Sequence, residues 1–301
     1  VKSYNYDQVV KGNRIKARDF YKLPDRPGEL KPCFYCIHDG RTYFGFTPKM
    51  RIFYKYTIGH GLPAYGHRGY DYVEALFGFI GKTEGDARHD YAGRLSFKSA
   101  LAVGDPRPLE PMAVTPGQPK LSAVAMYIEQ DRADRLKTLN DEDFRWRGVK
   151  QYWLKEGLVK PEANLKAAKE NKNVGALQQM LPPGTRFQAS IRFDRLHRDE
   201  LGLLLAALTW PKHQHIGMGK PYGAGCVVFS DWKLRLDRED YRLTDFFAEP
   251  CEEVRQEEFE EYIRAFRERM AEVCGDDCGD VRESRPVRVY LGMRERVYDD
   301  F

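Results

Sequence analysis

Residues 33–46 carry the first readable pattern of apolar and polar positions. The runs CFYCI and RTYFGF flank His38-Asp39-Gly40, and Asp-Gly between two aromatic-rich runs predicts a β-hairpin. FTPKMRIFYKYTIG follows, basic and aromatic, punctuated by Pro48 and Gly59, and HGLPAYGHRG continues it with loop chemistry. YDYVEALFGF predicts a short helix ending at Gly78, with Val73, Leu76 and Phe77 on one face. GRLSFKSALAV predicts a strand in which Leu95, Phe97 and Ser99 alternate with Arg94, Ser96 and Lys98.

From Asp105 to Pro183 the pattern loosens. Pro106, Pro108, Pro111, Pro116 and Pro119 exclude long helices from the first part. The later part, including ANLKAAKENK, has little apolar face, as expected of an insertion that projects from a core. Order returns in TRFQASIRF, where Phe187, Ala189, Ile191 and Phe193 alternate with polar residues and predict a half-buried strand. HRDELGLLLAALTW predicts a helix with Asp199 and Glu200 in its first turn, where the helix dipole favours anions. Its stretch Leu201 to Leu208 is apolar on nearly all sides and should be buried. A glycine-rich loop and the strand AGCVVFSDWKLRL come next. EEVRQEEFEEYIRAFRERMAEV then predicts an amphipathic helix with Val254, Phe259, Tyr262, Ile263, Phe266, Met270 and Val273 on one stripe.

The order of elements predicts an α+β chain with a βαββαβ core, the ferredoxin-like or RRM-like arrangement. Residues 1–250 would form that domain, with 105–183 as a thumb-like insertion, and 251–301 an acidic C-terminal helix and tail. A core of this kind packs helices on one face of an antiparallel sheet and leaves the other free, as many readers of single-stranded RNA do.

Composition narrows the class. With 42% hydrophobic and 31% charged residues in a chain of 301, a globular domain with a real core is expected. No apolar run approaches the roughly 20 residues that cross a bilayer, and no signal-peptide pattern opens the chain. Val1 stands where a methionine is expected, as in a piece of a longer polypeptide or a processed one. Net charge is +4, but its distribution says more. Eight basic residues lie between Arg145 and Lys172 against three acidic ones, with Trp146, Tyr152 and Trp153 among them. Between Glu249 and Asp277, eleven acidic residues face four arginines. Such asymmetry fits a nucleic-acid face on one side and a protein-facing surface on the other; two solvated helix faces are the plainer alternative. Six cysteines make no disulfide framework in a chain this long, so a reducing, cytoplasmic setting is expected. Cys33 with Cys36, and Cys274 with Cys278, have the spacing of half zinc sites; idle or buried thiols are the competing reading.

The densest feature is HIGMGKPYGAGCVVF, residues 215–229, with Gly217, Gly219, Gly223 and Gly225 around Lys220. Glycine admits positive φ and the close approach of another backbone. Gly219-Lys220 is not a phosphate-binding Walker loop: position 214 is Gln where that motif needs glycine, and Pro221 follows the lysine instead of Ser or Thr. A dinucleotide fingerprint fails too, because Tyr222 replaces its third glycine and the loop precedes a strand. Two readings stay open. The loop amides approach phosphates as in a nest, with Lys220 adding charge and Tyr222 a stacking surface, or the loop is a tight strand entry packed on its own sheet.

Three stretches, in order, resemble the RAMP superfamily, the repeat-associated proteins of CRISPR effector complexes. EALFGFIG followed by GRLSF is similar to the family's pairing of first helix and second strand. HRDELGLLLAAL is similar to the apolar helix before the signature loop, and IGMGKPYGAGCVVF to that loop itself. FGFTPKMR resembles the proline-glycine segment that opens the first helix region. The likeness touches residues 45–229. It implies a guide-RNA-binding subunit of a type III effector ribonucleoprotein, with guide RNA, target RNA and other effector subunits as partners and no membrane. The RNA-binding candidates are then Gly217, Met218, Gly219, Lys220, Tyr222 and Gly223 in the loop, Lys49, Arg51, Arg94 and Lys98 in the first half, and Arg145, Trp146, Arg147 and Lys150 in the insertion. On this reading Lys220→Ala and Gly219→Asp weaken RNA binding with the fold intact, and Trp146 stacks on a base.

Some members of that superfamily cut target RNA with an aspartate in a loop of the first half and a metal ion. Asp86, His89 and Asp90 lie in the corresponding polar loop here, but the family's early glycine-rich strand entry is missing. The chain resembles the later half of a protein with two RAMP domains. Three functions therefore stand side by side: a guide-RNA-binding backbone subunit, an endoribonuclease that processes CRISPR precursor RNA with His60 or His67 as general base, and an architectural subunit. The helix-strand pairing favours the first. No cofactor is expected beyond a divalent metal ion if the chain cuts RNA.

Overall fold

The computed structural model describes residues 23–24, 26–46, 52–62, 69–81, 90–114, 121–131, 134–158, 176–237, 247, 250–274, 279–295 and 297–298. The chain divides into two compact units, Val1–Ala64 with Lys120–Gly148, and Tyr65–Pro119 with Val149–Phe301. The architecture is mixed α/β. Among the described residues it holds four α-helices and eight two-stranded sheets, seven of them antiparallel.

In the first unit, β1 (Phe34–His38) and β2 (Arg41–Gly45) form the predicted hairpin, with His38 opposite Arg41. Asp39 and Gly40 both take positive φ, 49° and 70°, which matches the right-handed twist of the flanking strands. Elsewhere in this unit, side chains replace regular structure. Gln130 donates to the carbonyls of Ala125 and Lys137 and accepts from the Lys137 amide. The Asp141 carboxylate accepts from the Thr138 amide and Arg135. A small core of Val124, Ile128, Leu139 and Phe144 forms around this knot, with Tyr56 and Trp146 against it. The 3-10 turn Ile58–Gly61 belongs to the same cluster, since a Cβ on Gly61 would lie 2.2 Å from the Phe144 ring. Residues 52–62 are tied to 139–140 by two further hydrogen bonds, Tyr56 amide to Leu139 carbonyl and Lys55 amide to Asn140 Oδ1.

The second unit holds the larger core. Helix α1 (Tyr72–Phe77) starts at a capping box made by Asp71 and Glu74 and stops at Gly78, φ 74°, as the sequence predicts. Strands β3 (Gly78–Phe79) and β4 (Tyr91–Ala92) then pair. A Cβ on Gly78 would meet the Tyr91 carbonyl at 2.3 Å, and one on Gly93 the Phe77 carbonyl at 2.7 Å. The glycines of the LFG and GRL stretches are therefore a close-approach pair.

A long ribbon follows. β5 (Leu95–Phe97) pairs with β11 (Ile191–Phe193), β6 (Leu101–Ala102) with β10 (Phe187–Gln188), and β7 (Met112–Val114) with β9 (Ala176–Gln178). Phe193 sits opposite Leu95, but Phe187 opposite Ala102 and Gln178 opposite Met112, so the register slips by one residue twice. Each slip turns side chains to the other face. Ile191 and Phe193 are half-buried as expected, whereas Phe187 and Ala189 are exposed.

Helix α2 (Arg198–Thr209) buries Leu201, Gly202, Leu205 and Ala206 against α3 (Phe259–Cys274), which presents Phe259, Ile263 and Phe266. A Cβ on Gly202 would lie 1.9 Å from the Tyr262 carbonyl, so the two helix backbones touch there. Two sequence expectations change in this region. The predicted strand AGCVVFSDWKLRL breaks into β13 (Cys226–Val227) and β14 (Leu234–Asp237) at Asp231, whose φ is 56°. The predicted last helix begins later, because Cys251–Val254 is extended as β15 and pairs with β14. Val254 and Leu234 face each other there, both in the core. Past α3 the chain forms a further helix, α4 (Arg285–Glu295), and β16 (Val297–Tyr298), which runs parallel to β8 (Leu154–Lys155).

Candidate functional site

The glycine-rich segment connects β12 (Gln214–His215) to β13. The Ile216 amide donates to the Gly225 carbonyl at 2.8 Å, closing the loop's base. Inside it, residues Lys220–Tyr222 form a 3-10 turn bounded by Gly219 and Gly223, both left-handed. The amides of Tyr222 and Ala224 donate to the Gly219 carbonyl, and that of Gly223 to Lys220.

Its glycines serve two purposes. A Cβ on Gly223 would strike the Gly157 carbonyl at 2.2 Å and one on Gly225 the Ile216 carbonyl at 2.0 Å. Gly219 is buried against Met180, Ala224 and Gln178. These three hold the loop against its own unit, as the packing alternative expects. Gly217 differs: it takes φ 79° with open space around it, between the exposed Ile216 and Met218. The φ values at Gly217, Met218 and Gly219 alternate in sign, the backbone pattern of an anion-binding nest. The amides of Gly217, Met218, Gly219 and Lys220 donate to no acceptor among the described residues. These four successive donors, that of Gly219 on a buried residue and the others on exposed or half-exposed ones, make with the Lys220 side chain an arrangement suited to oxyanions.

Behind the loop's first strand lies a residue the sequence reading did not single out. Arg294 of α4 donates to His215 Nδ1 at 2.7 Å, Gln151 Oε1 at 2.5 Å and the Tyr152 carbonyl at 3.4 Å. Because an arginine only donates, His215 carries its proton on Nε2. Burial pushes the His215 pKa below its usual value, and the charges of Arg294 and Lys220 push it the same way. His213 Nδ1 contacts the Arg294 carbonyl at 2.9 Å. One signal for Arg294 was available: it falls on the helical stripe of Val287, Tyr290 and Leu291, where an apolar residue is the rule.

The other candidates fall in several places. Arg94 is committed inside the second unit, where its guanidinium takes a bidentate pair with Glu200 and donates to the carbonyls of Ala75 and Arg195. Lys98 is exposed on the ribbon. Arg145 and Arg147 are exposed in the first unit, but the Trp146 ring packs edge-on to Phe144 at 5.3 Å with its Nε1 buried, so it belongs to the small core. Lys150, in the second unit, lies over the Tyr152 ring at 4.9 Å. Asp90 Oδ1 accepts from the Gly81 amide at 2.8 Å. His60 stacks on Tyr56 at 4.3 Å and its Nε2 meets the Glu142 carbonyl at 3.3 Å. Cys33 and Cys274 are exposed and Cys36 lies within β1. Lys49, Arg51, His67, Asp86, His89 and Cys278 lie outside the described residues. No group of three or more His, Cys, Asp or Glu is placed to hold a metal ion, and no helix is long and apolar enough to cross a membrane, among the described residues.

Comparison of the chain with protein-family models and with curated proteins finds no match.

Proposed function

We propose that this chain is an RNA-binding subunit of the RAMP type, in a CRISPR effector ribonucleoprotein, and that the loop 216–225 holds phosphates of the RNA. The observation that carries this reading is the run of four amides from Gly217 to Lys220 that meet no acceptor among the described residues, beside the Lys220 side chain. Phosphodiesters are the abundant ligands of such donor arrays, and an array without a side-chain carboxylate or base binds without cutting. The order of elements supports a ferredoxin-like core. α1, β5, β11, α2 and β13 follow one another as in that fold, and β5 pairs antiparallel with β11.

The test is single-stranded RNA binding by fluorescence anisotropy across a salt series. Lys220→Ala should lower affinity and flatten the salt dependence by about 0.7 in log–log slope, the share of one phosphate contact on a single strand. An unchanged slope and affinity would overturn the loop's role.

A further inference from the structure

Arg294 is 3% exposed; its guanidinium lies over the Tyr290 ring at 5.1 Å but meets no negative charge among the described residues. Its three acceptors, a carbonyl, an amide oxygen and an imidazole nitrogen, are all uncharged. Among the described residues its Nε has no hydrogen-bond partner and no carboxylate pairs with it. The other buried cation among the described residues contrasts with it: Lys137, 3% exposed, sits between Asp131 at 2.9 Å and Asp143 at 3.1 Å, and the partly buried Arg94 likewise holds Glu200. A guanidinium taken out of water without a counter-charge is costly, and hydrogen bonds to neutral groups offset only part of that cost. Lys220 stands near enough for its charge to be felt at His215 together with that of Arg294. Positive charge thus accumulates at the base of a loop whose outer amides are unengaged.

We propose that Arg294 is a positioning residue for an anionic ligand of the glycine loop, whose charge is completed by a phosphate group and transmitted through His215. The inference rests on the reading of the loop as an RNA contact, and it deepens that reading: the ligand's phosphate, rather than its bases, is what the loop selects. His215 belongs to the same device. With Nδ1 occupied by Arg294, its Nε2 remains a donor, so the cluster offers donors and no general base.

Two substitutions separate charge from hydrogen bonding. Arg294→Lys keeps the charge and loses the guanidinium fork; Arg294→Gln keeps amide donors and loses the charge. Each is measured by thermal melting of the full chain in inorganic phosphate against chloride at matched ionic strength, and by RNA affinity over a salt series. Phosphate should raise the Tm of the parent and of Arg294→Lys, and leave that of Arg294→Gln unmoved. RNA affinity at about 0.1 M salt should fall on the order of 5- to 10-fold in Arg294→Gln, with a shallower salt slope, and stay within about 2-fold in Arg294→Lys. The proposal is overturned if phosphate does not stabilise the parent, if both variants respond to phosphate as the parent does, or if both lose the response alike. The last outcome would make Arg294 a structural hydrogen-bonding strut. A phosphate response that follows charge, with no RNA bound by any form, would keep the role of Arg294 and overturn the RNA reading instead.

Discussion

Single residues here decide whether a polar group serves the fold or a ligand. The partly buried Arg94 holds the buried Glu200, which also accepts from the His197 amide at the start of α2. Arg94→Met strands that carboxylate, and we expect a loss of about 3–5 kcal/mol in urea unfolding. Adding Glu200→Leu should recover most of it, leaving the about 1 kcal/mol of a lost helix cap. Gly219 and Lys220 are neighbours with opposite roles. Gly219→Asp forces a side chain into left-handed backbone with Met180 2.7 Å from its Cβ, so we expect about 1–2 kcal/mol of destabilisation. That corrects the expectation that the substitution spares the fold. Lys220→Ala should change stability by no more than about 0.5 kcal/mol, which makes it the clean probe of binding. Trp146→Ala should likewise act on the first unit's core, and loss of its near-UV dichroism at unchanged RNA affinity would show it.

Elements were legible in the sequence where their signals are local. The hairpin at Asp39-Gly40, α1 with its stop at Gly78, and α2 with its acidic first turn all follow from patterns within about a dozen residues. Where partners are distant, the pattern misled. Glu252 and Glu253 read as helix because they adjoin a helical stripe, but pairing with Arg235 and Leu236 draws them into β15. The alternation in TRFQASIRF is real, yet a bulge against β6 exposes its first half. The core of 124–146 takes in residues 52–62 through contacts some 85 residues apart, which no window reveals. The free amides of Gly217 to Lys220 were foreshadowed by glycine spacing; the cation beneath them was not. At this scale α3 offers two tests. Gly202→Val would push α2 off the Tyr262 backbone, and we expect a loss of at least about 1–3 kcal/mol. Asp280 joins α3 to the turn Val281–Glu283, where hydrogen bonds from Arg267 hold its carboxyl below its usual range and the Arg282 amide adds to this. Because its folded pKa is depressed, the stabilisation is complete above the ordinary carboxyl value and is lost as pH falls through the folded one. Asp280→Asn should therefore melt below the parent at pH 7, with the gap closing as both are taken into the acid range.

For the molecule as a whole, the ribbon of β5 to β11 sets a schedule of biosynthesis. Arg94 must wait for Glu200, 106 residues further on, and Leu95 for Phe193. At a translation speed of roughly 5–20 residues per second, the first half of the second unit stands at the ribosome for about 5–20 s before its partners exist. During that interval Leu95, Phe97 and Leu101 have no strand to lie against, and α1 has no α2 to receive Tyr72. We expect newly made chain of this length to engage chaperones on timing alone. Arrested nascent chains ending before residue 190 should be held by the ribosome-bound chaperone and cut by added protease, while chains that expose residue 274, the end of α3, beyond the exit tunnel should resist both.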